Sequence, residues 1–185
     1  MAARIPAETD AELVRRAQAG DREAFGALVT RHAAMVRRLT RAVLHDPDDA
    51  DDAAQDAFLR AWMALDRFRP EEALTPWLVR IAVNAARDLA RRRRVRRTEE
   101  VDAQLTDPRA APDAVTHDAL LRSRLNQALA ALPERQRTAL VLFEVEGFAH
   151  AEIGALLGVP EGTVRSDVFH ARRRLRAALG NPRED

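Results

Sequence analysis

The sequence predicts an all-α protein of two small helical domains, one of four helices and one built around a helix-turn-helix, joined by a flexible acidic linker. Three observations predict it. Of the 185 residues, 37 are alanine, the strongest helix former, and apolar residues recur at three- and four-residue spacings with no sustained β-branched alternation. Charge is uneven along the chain: residues 1–98 carry net +4, residues 99–118 net −5 and residues 119–185 net +2, within a total of +1. The acidic stretch holds Pro108 and Pro112 among few apolar residues, a composition that argues against a packed helix. The reading places domains at 9–98 and 118–180 with the linker at 99–117.

Each element has a local reason. Thr9 or Asp10 can cap a first helix through Leu13, Val14 and Ala17 that stops at Gly20. Asp21 can cap a second, whose Phe25, Leu28, Val29, Met35, Val36, Leu39 and Val43 follow the helical period. Asp46-Pro47 breaks and restarts the chain, with proline suited to a first helical turn. The third helix gathers Ala50, Ala54, Ala57, Phe58, Ala61, Trp62 and Leu65 on one side. After a loop, Thr75-Pro76 opens a fourth helix through Trp77, Leu78, Ile81, Ala85 and Leu89 that runs into Arg91–Arg94. In the second domain, Leu121, Leu125, Ala128, Leu129 and Leu132 predict one helix. Pro133 restarts another through Leu140 and Phe143 to Gly147. Two further helices flank a tight turn at Gly158-Val159-Pro160.

Composition excludes several chemistries. There is no cysteine, so disulfides and thiolate metal sites are ruled out. All 30 basic residues are arginine, which excludes a phosphate loop ending in Gly-Lys. No apolar run is long enough for membrane insertion, and the N-terminal residues carry acids where a signal peptide needs an apolar stretch, so a cytoplasmic protein is expected. The five histidines show no ligand spacing, with His32 near a core stripe, and neither Ser123 nor Ser166 sits in a nucleophile motif. The acidic run from Asp46 fails as a calcium loop, because Asp51 and Ala57 stand where glycine and glutamate are required. We expect no enzyme activity, no cofactor and no metal.

Three constellations remain. In the last helix Val164, Val168, Ala171 and Leu175 form a buried stripe, while Arg165, Ser166, Phe169, Arg172, Arg173 and Arg176 lie opposite. Arginines and one outward aromatic on a helix propped across a turn suit a DNA major groove. Asp48, Asp52 and Asp56 recur every four residues beside Asp49 and Gln55, a self-repelling face that a basic partner would relieve. The run RRRRVRR at 91–97 follows a helix whose polar side holds Arg80, Asn84, Arg87 and Asp88, a pattern suited to phosphate or to an acidic partner.

The segments DADDAAQDAFLRAW (49–62), FRPEEALTPWLVRIAVNAARD (68–88) and LPERQRTALVLFEVEGFAHAEIGALLGVPEGTVRS (132–166) together resemble bacterial extracytoplasmic-function sigma factors of the sigma-70 family. The resemblance implies a protein that binds core RNA polymerase and directs promoter recognition and initiation. It also implies region 2 and region 4 domains, the first docking on core polymerase and reading and melting the −10 element, the second reading the −35 element. Asp49, Asp52, Gln55, Asp56 and Arg60 would dock on the β′ clamp coiled coil, and the β flap is the second polymerase contact. Trp77, Arg80, Asn84, Arg87, Asp88 and Arg91 would meet the −10 element, with Asn84 holding a flipped base. Arg165, Ser166, Phe169, His170, Arg172, Arg173 and Arg176 would meet the −35 element. Promoter DNA and an anti-sigma factor complete the implied partners. The chain departs from the family at Ala149, where a capping serine is usual, at Asp167 and His170, where basic residues are frequent, and at Glu71-Glu72 in a loop often small and polar. By helical angle Asp167 falls on the flank of the buried stripe. A stand-alone helix-turn-helix regulator is the alternative, and a helical scaffold that sequesters a partner without DNA is a third.

Overall fold

The computed structural model describes residues 8–44, 46–99 and 117–180, and among them every regular element is helical. The order is α1 (Asp10–Gln18), α2 (Arg22–Val43), α3 (Pro47–Ala64), a 3₁₀ turn (Leu65–Arg67), α4 (Leu74–Glu99), α5 (His117–Ala130), α6 (Glu134–Glu144), α7 (His150–Leu157) and α8 (Glu161–Leu179). The expected linker lies outside the described residues except at its two ends, which belong to α4 and α5. The chain divides into two compact units, Met1–Arg87 and Asp88–Asp185.

In the first unit the helix starts follow side-chain chemistry. Thr9 caps α1 in a reciprocal box: Glu12 N–H donates to Thr9 Oγ1, and Thr9 N–H donates to Glu12 Oε2 at 2.7 Å. That bond holds the Glu12 carboxyl below its usual range. Gly20, at φ 94°, ends the segment, and Asp21 Oδ1 accepts from the Glu23 and Ala24 N–H groups to start α2. Asp46 caps α3, with Pro47 at its first position. Leu13, Val14, Ala17, Ala24, Leu28, Leu65, Phe68 and Leu74 close one buried cluster, with Phe25 and Trp77 packed against it. Gln18 fastens α1 to the 3₁₀ turn by donating to the carbonyls of Leu65 and Phe68 at 2.9 and 2.8 Å. The buried side of α3 is Ala50, Ala53, Ala54, Ala57 and Ala61, so small side chains let it lie close to α2. His32 is buried as a core histidine, with Nε2 2.9 Å from Asp10 Oδ2.

In the second unit α8 is the hub, packing on α5, α6 and α7. Leu140, Leu142, Ile153, Leu157, Val164, Val168 and Ala171 form its interior. Arg137 is 3% exposed, and its guanidinium donates to the carbonyls of Leu129 and Ala130, the last two residues of α5, and of Leu132 just beyond it. Desolvation there holds its pKa below the ordinary arginine range. The helix expected through Leu121, Leu125 and Ala128 is present as α5, but its apolar residues are unequally covered: Leu121 and Leu125 are exposed, whereas Ala128 is buried.

Candidate nucleic-acid and partner interfaces

The helix-turn-helix is set by two glycines and a proline. Gly158 takes the left-handed conformation at φ 70° and ends α7. A Cβ on Gly154 would lie 2.7 Å from the Val159 carbonyl oxygen, so no side chain fits where the turn closes. Pro160 then precedes the first residue of α8. At the start of α7, Ala149 supplies no side-chain acceptor, but its N–H donates to Glu152 Oε2 at 2.7 Å, so half of the usual capping arrangement survives.

On α8, Val164, Val168 and Ala171 are buried and Leu175 half-buried, whereas Arg165, Ser166, Phe169, His170, Arg172, Arg173 and Arg176 are all exposed. Phe169 is 61% exposed, with the His170 ring edge-on beside it. Within that face the arginines differ. Arg165 Nη2 lies 2.6 Å from Glu161 Oε1, one turn back. Arg172 is paired with Glu144 of α6, and its guanidinium carbon lies 5.2 Å from the centroid of Phe143, itself stacked on His150. Arg173, Arg174 and Arg176 form no ion pair among the described residues. Asp167 faces inward: it is 5% exposed and accepts from Arg135 Nε at 2.6 Å, which raises the Arg135 pKa. No signal in the sequence marks Glu144, Glu161 or Arg135 as partners of α8 side chains, because Glu144 and Arg135 lie on α6 and Glu161 reads as an ordinary helix-start acid.

On α3, Asp48, Asp52 and Gln55 are exposed, while Asp49, Asp51, Asp56 and Arg60 are half-buried. Arg60 pairs with Asp56 at 2.8 Å, and Arg41 lies 3.6 Å from Asp51. Toward its C-terminal end the acidic face gives way to Leu59 and Met63, 62% and 73% exposed. Trp62, expected on the buried side, sits at its margin with its ring edge-on to Phe25. On α4, Arg80, Asn84 and Arg91 are exposed, Arg87 and Asp88 are half-buried, and Arg91 pairs with Asp88 at 3.0 Å. Trp77 is turned toward the core, 4.7 Å from Phe68 between ring centroids, rather than standing out beside Arg80 and Asn84. Among the described residues no cluster of acids and histidines has the make-up of a metal site, and no helix is long and apolar enough to cross a membrane.

Residues 28–96 match the family model Sigma-70 region 2, and residues 122–175 match Sigma-70, region 4. The chain is 37% identical to the RNA polymerase sigma-H factor of Pseudomonas aeruginosa over 93% of its length and 94% of that protein's. It is 41% identical to the ECF RNA polymerase sigma factor SigM of Mycobacterium tuberculosis, covering 93% of this chain and 85% of that one. Among solved structures it resembles CnrH in complex with the cytosolic domain of CnrY, at TM-score 0.67, 32% identity and coverage of 93% and 97%. It also resembles the sigma factor RpoE in complex with the anti-sigma factor NepR from Bartonella quintana, at TM-score 0.74, 26% identity and coverage of 86% and 98%. Two helical units that match regions 2 and 4 in that order define a transcription initiation factor of the sigma-70 type. Within that class the chain belongs to the extracytoplasmic-function RNA polymerase sigma factors, which bind core RNA polymerase and direct promoter recognition and initiation. A stand-alone regulator would have no use for the region 2 half.

Proposed function

We propose that the three exposed faces divide the work of initiation. The acidic face of α3, through Asp49, Asp52, Gln55, Asp56 and Arg60, docks on the β′ clamp coiled coil. The second unit engages the β flap. Arg80, Asn84, Arg87, Asp88 and Arg91 of α4 hold the −10 element open, with Asn84 pairing to a flipped base and Trp77 bracing the helix from the core side. The exposed face of α8 reads the −35 element. The domains act as 9–98 and 118–180, with 99–117 spanning between them. The protein works in the cytoplasm without a catalytic site of its own. An anti-sigma factor would hold it inactive, a reading supported by the RpoE–NepR complex, whose sigma factor this chain resembles.

One observation carries this reading: α8 presents Arg165, Phe169, Arg173 and Arg176 outward over a buried stripe of Val164, Val168 and Ala171. The polymerase part is tested at α3, where Asp52 is exposed and forms no ion pair among the described residues. Reversing charge with Asp52→Arg and Asp56→Arg together should abolish co-purification with core polymerase and run-off transcription while circular dichroism stays unchanged. Undiminished co-purification would show that docking lies elsewhere.

A further inference from the structure

We propose that Glu161 is a specificity-determining residue, positioning Arg165 for base contact and keeping that arginine from settling on the DNA backbone. The inference rests on the reading of α8 as the −35 reader. Its observations are independent of that reading.

Glu161 is the first residue of α8 and is exposed, and its Oε1 lies 2.6 Å from Arg165 Nη2. Its backbone is not free to drift. The site a Cβ would take on Gly154 of α7 lies 3.5 Å from the Glu161 N and 3.7 Å from its Cα, so the first turn of α8 is seated directly on α7. The carboxylate therefore projects from a fixed point. A stability role alone accounts for an acid here, since a negative charge suits a helix N-terminus and an i,i+4 pair supports a helix. That role does not require the charge to sit beside the first arginine of the face that meets DNA. There it has a cost, because a carboxylate next to a polyanion weakens binding to every sequence.

The pair changes what Arg165 can do. A guanidinium with one edge held by Glu161 keeps its other N–H groups for an acceptor ahead of it. The N7 and O6 atoms of guanine offer two acceptors in the plane such a fork prefers. A phosphate placed there would meet the Glu161 carboxylate as well. The carboxylate itself can accept from a cytosine amino group, which no phosphate supplies. The result is an arginine whose contact with a base is favoured over contact with the backbone. Arg173 and Arg176, with no carboxylate paired to them among the described residues, have no such filter.

The test uses holoenzyme assembled from the full chain and core polymerase. Its probes are a promoter fragment selected with that holoenzyme, every single-base variant of the upstream element, and an unrelated duplex. Glu161→Gln keeps the side-chain length and removes the charge. We expect it to tighten binding to the unrelated duplex roughly two- to fivefold, the worth of one exposed charge. We also expect the best-to-worst ratio at the base pair read by Arg165 to narrow by about threefold or more, for a partial loss of one bidentate contact. In an Arg165→Ala background the same substitution should leave that ratio unchanged. Uniform tightening with every ratio intact would overturn the inference and reduce Glu161 to an ordinary surface charge. An equal narrowing in the Arg165→Ala background would overturn it too. If Arg165→Ala itself leaves all ratios intact, the −35 assignment of Arg165 has failed, and the role of Glu161 fails with it.

Discussion

Asp167 shows how one residue's direction decides the meaning of a charge. Its place on α8 is one where sigma factors of this group often carry a basic residue, and among outward arginines it would repel the backbone of DNA. Turned inward, it instead receives the Arg135 guanidinium across from α6. Helical angle alone places it on the buried flank. The partner was not legible, because Arg135 lies 32 positions away in sequence. Arg135→Ala should leave a desolvated carboxylate and cost about 1–3 kcal/mol, measured as a lowered denaturation midpoint with unchanged slope. Asp167→Asn together with Arg135→Ala should recover part of that loss. At Asn84, exposed on α4, the expectation concerns function rather than stability. Asn84→Ala should retain core binding but lose permanganate reactivity of promoter thymines, since a flipped base loses a group that both donates and accepts.

Elements tell a similar story about what sequence carries. The starts of α1, α2 and α3 were legible because Thr9, Asp21 and Asp46 each cap by contact with residues two or three positions on. The turn before α8 was legible for the same reason, through Gly158 and Pro160. The packing of α5 was not, because the spacing of Leu121, Leu125 and Ala128 marks one side of a helix without saying how much of that side is covered. At α7 the missing serine defines a prediction. Glu152 already supplies the return half of the cap, so Ala149→Ser should complete it and stabilise the protein by about 1 kcal/mol. A thermal scan will show the midpoint rise. Gly154→Ala should do the reverse, because its methyl would collide with the Val159 carbonyl.

For the whole molecule, the order of two helical domains could be read from periodicity and charge, and so could which side chains of α8 stand outward. The division of labour among the arginines could not. On paper Arg172, Arg173 and Arg176 are alike, three cations on one side of one helix. In the fold Arg172 is engaged by Glu144 and Phe143, while Arg176 stands clear. A cation already matched by a carboxylate releases fewer counterions when DNA arrives. Arg176→Ala should therefore flatten the salt dependence of holoenzyme binding by about 0.9 in log–log slope, the value for one phosphate contact. Arg172→Ala should flatten it by clearly less, and Glu144→Gln should steepen it. Binding titrations at four or more salt concentrations separate the three. Equal slopes for Arg172→Ala and Arg176→Ala would show that the Glu144 pair opens on DNA.

Arg137 gives the second unit a direction in time. Its buried guanidinium closes the carbonyls of Leu129, Ala130 and Leu132, so α5 is fastened at its far end by a side chain from α6. At the near end, Leu121 and Leu125 face solvent. Such an arrangement should let α5 fray from its Leu121 end first. Amide protons near Arg124 should therefore exchange faster than those near Ala130, which wait for the release of Arg137; hydrogen exchange followed residue by residue along α5 will show the gradient.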